Sequence, residues 1–428
     1  MEECKKKILL ISNGLALACD IVRKAKEKNI YTIVTDWHDN SPAKKIADEN
    51  YMVSTADISA MVNLAKCKKV DGVITSFIDS NLENTRKVCE TLGCYFYATK
   101  EQLEITMNKR KFKDLCKKNN VSVVPEYDID ESFTQEKLVD IEYPVIVKPV
   151  DSSGSKGIVI CNNQDELISG YSKSLEFSES KGVVIEKLMN LSKPGINLDY
   201  VIADGEIILS SVGDLYTYQN DKSLPPLTTG VFYPSIHTNT YLNKVDKNVQ
   251  KMFKSIGLKN GVLYIQSFYE NGCFYFYEMG YRLGGGQSYQ VISKINEVNH
   301  LEMLIDYSLT GKMCTEEIKS KISPSFDKKG FIYILHIKPG VIKKIKGLDK
   351  IRNIKDVVNV MQTYHEGDVI PKSAVNTTTQ VFGRIHLVSE NKESLINAIN
   401  KIKEELKIIS DDGDSMLIDS FDTRLLEI

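Results

Sequence analysis

A multidomain chain that mixes α/β with α+β layers is the fold class this sequence predicts, on three observations. Its 428 residues exceed what one hydrophobic core organises, so roughly two to four domains are expected. The first hundred residues alternate short apolar runs with amphipathic stretches. Farther on, two alternating runs, VLYIQSFYE and CFYFYEMG, flank Asn271-Gly272, the strongest short hairpin signal.

Taken in order, Lys7–Ser12 (KILLIS) reads as a first strand and Ala16–Lys28 as a helix. Tyr31–Thr35 is a second strand, a short third contains Val53, Gly72–Thr75 is a fourth and Tyr95–Ala98 a fifth. Helices around Ile58–Cys67 and Leu82–Leu92 lie between them. Such alternation gives right-handed βαβ units on a parallel sheet, here a Rossmann-like layout. The turn after the first strand is SNGLAL rather than GxGxxG, which gives dinucleotide binding little support. A lysine-rich helix over Glu101–Asn119 follows and Pro125 breaks the pattern. Strands are then expected at Val145–Pro149, Gly157–Cys161, Val183–Lys187, Leu198–Ala203 and Glu206–Ser211. Polar Tyr218–Gly230 reads as a long loop, Lys247–Ile256 as a helix, and the hairpin comes next. Lys319–Lys329, with its Ser-Pro-Ser, is the expected linker to a tail opening at Phe331–Ile337. In that tail Gln380–Val388 alternates and Lys392–Leu406 is helical.

Composition narrows the partners. A hydrophobic content of 42% with 26% charged residues is that of a soluble globular protein. A net charge of −2 gives no global reason to expect nucleic acid or anionic membrane. The apolar run ILLI near the N-terminus is too short for a signal peptide, and nothing approaches the ~18 apolar residues that span a bilayer. The cysteines are scattered without CxxC spacing, so reduced thiols in a cytoplasmic protein are expected. A homodimer is the default oligomer.

The chemistry begins in YPVIVKPVDSSGSKGIVI, Tyr143–Ile160. Lys148 ends a run that is apolar on both faces, so its ammonium emerges at the strand's end, where the plain alternative is a snorkelling edge lysine. Ser152, Ser153, Gly154, Lys156 and Gly157 then form a loop whose N–H groups can approach a ligand closely as an anion nest. Two lysines and a nest describe a polyphosphate site. GxxxxGK[ST], HRD and DFG are absent, which excludes phosphate binding of the P-loop and protein-kinase types. VVIEKLM ends a strand on Glu186 and Lys187, followed by Leu188 and Met189. It can offer backbone donors and acceptors to an adenine edge, or be a half-exposed strand end.

Gln266 lies five residues before Asn271 and Glu278 six after Gly272, so the two fall near each other across the hairpin. Among the aromatic runs around them an unpaired carboxylate is costly, and a hard cation such as Mg2+ held on oxygen relieves that cost. Arg282 and Gly284, Gly285 and Gly286 follow at once. A guanidinium beside bare amides suits a carboxylate or an acyl phosphate.

In this order the pieces resemble the ATP-grasp enzymes, the superfamily of biotin carboxylase, carbamoyl phosphate synthetase and carboxylate–amine ligases. The resemblance covers nearly the whole chain. Residues 1–108 look like the Rossmann-like pre-ATP-grasp domain, 109–187 the small lid subdomain and 188–322 the large subdomain. Residues 323–428 are similar to the C-terminal α+β domain of bacterial L-amino acid ligases. The resemblance implies that Lys109, Lys148 and the Ser152–Gly157 loop meet ATP phosphates, that Glu186–Met189 meets adenine, and that Glu278 with Gln266 holds Mg2+ or Mn2+. Two departures stand out. The family's Glu-x-Asn-x-Arg reads Glu278-Met279-Gly280-Tyr281-Arg282, and glycine cannot coordinate, which leaves the number of metal ions open. Asn197 stands where an acidic residue often holds the ribose, and Gln266 where many relatives carry glutamate.

The implied reaction is attack of a carboxylate on the γ-phosphate of ATP, then displacement of phosphate from the acyl phosphate by an amine or thiol. Arg282 and Lys148 are the expected catalytic groups, with Arg282, Gly284–Gly286 and His237 at the substrate. A loop histidine without a catalytic role is the plain alternative for His237. Two other readings are a carboxylating or formylating enzyme that activates bicarbonate or formate, and an ATP-binding protein of weakened catalysis.

Overall fold

The computed structural model describes residues 5–12, 14–152, 154–219, 221 and 224–427. Asn13 of the first turn, Ser153 of the Ser/Gly loop, and Asn220, Lys222 and Ser223 of the long polar segment lie outside the described residues.

The N-terminal region is a four-stranded parallel sheet in the spatial order Glu49–Tyr51, Tyr31–Thr35, Lys7–Ile11, Gly72–Ile74. Its strands are apolar on both faces because both faces are covered. Leu9 and Ile11 pack toward Met61, Val88 and Cys89, and Ile8 and Leu10 toward Ala18 and Val22. The third strand lies at Glu49–Tyr51 and not at Val53, whose carbonyl instead accepts from Thr35 Oγ1. The expected fifth strand at Tyr95–Ala98 is absent. The helix His300–Thr310 packs on a face of the strand Gly72–Ile74, so tightly that a Cβ on Gly72 would run into the Ser308 carbonyl. Tyr97 turns away instead and donates from its hydroxyl to Tyr281 O at 2.9 Å.

The expected single helix over Glu101–Asn119 is two, Lys100–Met107 and Lys109–Lys118. Asn108 separates them at φ −100°, ψ 116°, and its Oδ1 accepts the Lys111 N–H. The asparagine thus acts as an N-cap in mid-pattern. The break sets Lys109 at the start of the second helix, where its amide donates to Val150 O at 2.9 Å.

A small antiparallel sheet follows in the order Glu126–Tyr127, Val183–Lys187, Val145–Pro149, Val159–Cys161. Helix Gln164–Glu176 covers it, seating Leu167 against Val145, Val147 and Cys161. The large sheet runs Cys273–Gly280, Gly261–Glu270, Gly195–Ala203, Glu206–Tyr218, Leu227–Tyr233, Lys329–Ile337, Val381–Ser389, Val357–Gln362. Its strand from Glu206 extends well beyond the expected end at Ser211, and Leu227 resumes strand inside the expected loop. Buried Ser210 and Ser211 continue the strand because His300 and Asp199 satisfy their hydroxyls.

Lys329–Ile337 pairs with Leu227–Tyr233 on one side and Val381–Ser389 on the other. The sheet therefore crosses the boundary expected at 322/323. An interior strand buried on both faces needs partners on both edges, and the preceding subdomain supplies one of them. A further sheet, Val369–Ile370, Gly340–Lys346 and Lys407–Ser410, completes the C-terminal region. Among the described residues no helix is long and apolar enough to cross a membrane.

Candidate active site

The hairpin turns at Asn271 and Gly272 with φ of 50° and 79°, the left-handed pair that a two-residue turn requires. A register shift between Gln266 and Ser267 then absorbs one residue, and Gln266 pairs directly with Glu278. Gln266 also pairs with Asn197 on its other side. Asn197, Gln266 and Glu278 thus form one row on one face of the large sheet. Tyr277, the residue displaced by the irregularity, donates from its hydroxyl to Gln266 Oε1 at 3.1 Å. Glu278 has no hydrogen-bond or ion-pair partner among the described residues, where a group of three or more His, Cys, Asp or Glu placed to hold a metal is also absent. A half-buried, unpartnered carboxylate beside an amide oxygen fits a hard cation, with two protein ligands rather than three. A Cβ on Gly280 would run into the Tyr264 ring, so this aromatic fills the space a larger residue at 280 would need.

Across from this row stands Lys148, whose Nζ lies 5.0 Å from the Tyr277 ring centroid. It is bound to the protein, donating to Glu186 Oε2 at 2.7 Å. The other oxygen of Glu186 pairs with Lys113, whose side chain is fully buried. Lys113 also pairs with Glu126 at 3.2 Å. Burial alone would raise the Glu186 carboxyl, but Lys148 and Lys113 outweigh it and hold it below the usual carboxylate range. The Glu186 side chain is therefore a charge partner inside the small sheet, not a contact for an adenine edge. The neighbouring donors are also engaged: Lys187 N–H with Pro125 O, and Leu188 N–H with Pro144 O. Lys187 Nζ pairs with Glu142, and Met189 is buried.

Arg282 is buried and held by a residue from the N-terminal region. Its Nε donates to Asp79 Oδ1 at 2.7 Å and its Nη2 to Asp79 Oδ2 at 2.6 Å. Nη1 donates to Leu283 O, Nη2 also reaches the Tyr264 hydroxyl at 3.3 Å, and the guanidinium lies 5.3 Å from that ring's centroid. The Asp79 carboxylate raises its already high pKa further. Gly284, Gly285 and Gly286 follow as a partly exposed loop.

Gly154, Ser155 and Gly157 have φ of 68°, 62° and 74°, and Lys156 among them is exposed. Lys109 Nζ donates to Ser152 O at 2.6 Å, which ties the base of this loop to the helix. Its tip nears the C-terminal region, since a Cβ on Gly154 would sit 3.2 Å from Thr378 Oγ1. A cavity of about 440 Å³ adjoins the loop, lined by Asp79, Lys109, Asp151, Ser152 and Glu278. Lys148 and Glu186–Met189 do not line it, so it is a chamber beside the lysine–carboxylate group and not the whole cleft.

Two expected residues stand differently. Asn197 donates to Asp199 Oδ2 at 3.2 Å and joins the Gln266–Glu278 row. His237 stacks on Tyr269 at 4.0 Å, on the face that carries Leu263 and Ile265 and opposite that of Gln266 and Glu278. Its placement removes it from the group around Glu278. Asp79, Lys113, Tyr264 and Tyr277 went unread. Asp79 alone carried a signal, lying just past the carboxyl end of a parallel strand where such sheets bind ligands.

Asp199 shares this face, and its oxygens accept from Ser211 at 2.6 Å and Ser288 at 3.0 Å. Burial nevertheless outweighs these donors and pushes its carboxyl up to about 6. A raised folded pKa means the native state binds more protons than the unfolded chain between about pH 4 and 6. Stability then falls as pH rises through that window, by about 1–3 kcal/mol for this group. Urea unfolding at pH 5 and pH 7.5 should show the Asp199→Asn variant losing less stability over this interval than the parent. An equal loss in both proteins contradicts this assignment.

Residues 108–295 match the family described as carbamoyl-phosphate synthase L chain, ATP binding domain. A formate-dependent phosphoribosylglycinamide formyltransferase of Prochlorococcus marinus is 28% identical over 190 residues, 44% of this chain and 48% of that protein. The chain spans about half the length of the curated relatives it matches first. The fold is that of an L-amino acid ligase from Bacillus licheniformis, with a TM-score of 0.74 at 20% identity over 95% of this chain and 99% of that one. It is equally that of the biotin carboxylase domain of Hydrogenobacter thermophilus 2-oxoglutarate carboxylase, with a TM-score of 0.77 at 18% identity over 97% and 92%.

Proposed function

We propose that this chain, whose residues 108–295 match the carbamoyl-phosphate synthase L chain ATP binding domain, is an ATP-grasp enzyme, an ATP-dependent carboxylate–amine (or thiol) ligase working through an acyl phosphate. One observation carries this reading: Lys148 of the small sheet and the Asn197–Gln266–Glu278 row of the large sheet converge on Tyr277. A cation facing an unpartnered carboxylate across a cleft between two sheets suits a triphosphate with its divalent ion.

Lys109, Lys148 and the amides of the Ser/Gly loop offset triphosphate charge. Lys148 can leave Glu186 for a phosphate because Lys113 remains to neutralise that carboxylate. Glu278 and Gln266 would hold Mg2+ or Mn2+, which supplies charge neutralisation at the phosphate oxygens. Arg282, fixed in orientation by Asp79, stabilises charge on the transferred phosphoryl group. A carboxylate oxygen bonds to the γ-phosphorus as ADP leaves. The amine nitrogen or thiol sulfur then bonds to the acyl carbon as phosphate leaves. The acyl phosphate hydrolyses readily, and closure of the Ser152–Gly157 loop toward Thr378 excludes water.

The test is phosphate release from ATP and Mg2+ across a panel of carboxylates crossed with amines and thiols. Release is expected only when acid and nucleophile are both present, and Glu278→Ala should lower it about 100-fold or more. Undiminished turnover in Glu278→Ala ends the site assignment. The formyltransferase relative favours a second reading, activation of formate or bicarbonate. Release with either small acid in the absence of larger ones selects that reading.

A further inference from the structure

Arg384 is a cation of this region that the protein leaves unneutralised. It lies in the strand Val381–Ser389, between Ile334 and Met361 of the neighbouring strands, both buried. Its Nε is fully buried and has no hydrogen-bond partner. No acid lies within ion-pair distance of it among the described residues. Burial accordingly pulls its pKa down to about 10. The guanidinium approaches the glycine loop: Nη2 stands 4.0 Å from where a Gly285 Cβ would be, and Leu17 3.9 Å from the same point. His386, on the same strand, holds that loop through Nε2 and Gly286 O at 2.9 Å. His386 and His336 are both held near 4 by burial and are neutral at pH 7, so neither shares the charge with a partner. Asp20, behind the loop, is fully engaged by Gln287 at 2.6 Å, Tyr289 and Gln290 at 2.8 Å, and Arg23 at 3.2 Å.

We propose that Arg384, together with the bare backbone of Gly284–Gly286, is the receptor for a carboxylate group of the substrate, and that Arg282 is not. Asp79 already neutralises Arg282 with two hydrogen bonds. Arg384 has a full charge and no such partner. Arg384 is half-buried, with its Nε buried and unpartnered, and its planar fork matches the two oxygens of a carboxylate. One uncompensated positive charge among Leu17, Ile332, Ile334 and Met361 suits a monoanion on an apolar stem better than a phosphate dianion. Calling this anion the substrate rests on the ligase reading; the binding itself does not.

The test uses the full chain without nucleotide, and follows thermal unfolding in sodium acetate, sodium butyrate and sodium phosphate against sodium chloride of equal ionic strength. Acetate and butyrate should raise Tm saturably over chloride, and more than phosphate does. Arg384→Met should abolish that response and, having removed a half-buried charge without an ion-pair partner, should raise Tm in chloride by roughly a few degrees. Its KM for the carboxylate substrate should rise about tenfold or more, with KM for ATP unchanged. A lower Tm of Arg384→Met in chloride marks a structural arginine and overturns the proposal, as does a retained acetate response. A phosphate shift as large as that of acetate overturns the assignment to a carboxylate. If the carboxylate response behaves as expected while no acid–nucleophile pair releases phosphate, the ligase reading fails and this receptor stands.

Discussion

Glu186→Gln is expected to destabilise the protein by about 3–5 kcal/mol, the usual result of removing one partner from a buried ion group. Lys113 is fully buried and Lys148 nearly so, and Glu186 is the carboxylate that pairs with both, Glu126 reaching Lys113 alone. Glutamine keeps the shape and loses the charge, which leaves two cations close together in a poorly solvated space. Urea unfolding with linear extrapolation measures the loss. The sign with pH follows from the depressed carboxyl: its stabilisation is present above the unfolded value of about 4.3 and disappears as pH falls through the lower folded value. Adding Lys113→Met to Glu186→Gln should recover part of the stability, because one stranded charge is removed with its partner. A Glu186→Gln protein of unchanged stability would overturn this assignment.

Asp79→Ala is expected to lower kcat by about 100- to 1,000-fold, with KM for ATP changed little. Asp79 lines the cavity with Lys109 and Glu278, and its expected effect runs through Arg282. It aims Arg282, and loss of the bidentate contact frees the guanidinium to rotate toward Leu283 O and Tyr264. Stability should fall too, since Arg282 is buried and Asp79 is its single carboxylate partner among the described residues. Asp79→Glu should restore part of kcat and Asp79→Asn little, because charge and fork geometry are both needed. Equal kcat in Asp79→Ala and the parent would detach Arg282 from the chemistry.

Much of the fold was legible where a local pattern controls it. Lys7–Ile11 and Tyr31–Thr35 are strands as their apolar runs require, and the Asn271-Gly272 turn leads to the Gln266–Glu278 pairing. Reading failed where a neighbour distant in sequence decides. Tyr95–Ala98 has strand composition, but Tyr97 is turned instead toward Tyr281, 184 positions away, whose carbonyl accepts from its hydroxyl. Glu101–Asn119 has helical composition throughout, and one asparagine cap divides it. The C-terminal strands read as a separate unit, yet Leu227–Tyr233 claims Lys329–Ile337 as its partner.

The site divides in the same way. Sequence by itself determined which chemical groups exist and which share a strand or turn: the lysine at the end of VIVK, the glycine loops, the acid on the hairpin. Tertiary structure alone decided which charges are spent and which remain. Arg282 is neutralised by an aspartate 203 positions away and Lys148 by a glutamate 38 away, whereas Glu278 and Arg384 keep no ionic partner among the described residues. Periodicity and turn chemistry act over a few residues along the chain. Charge neutralisation acts over a few ångströms in space, in a medium too poor in water to screen it, and separation along the chain carries no record of that distance.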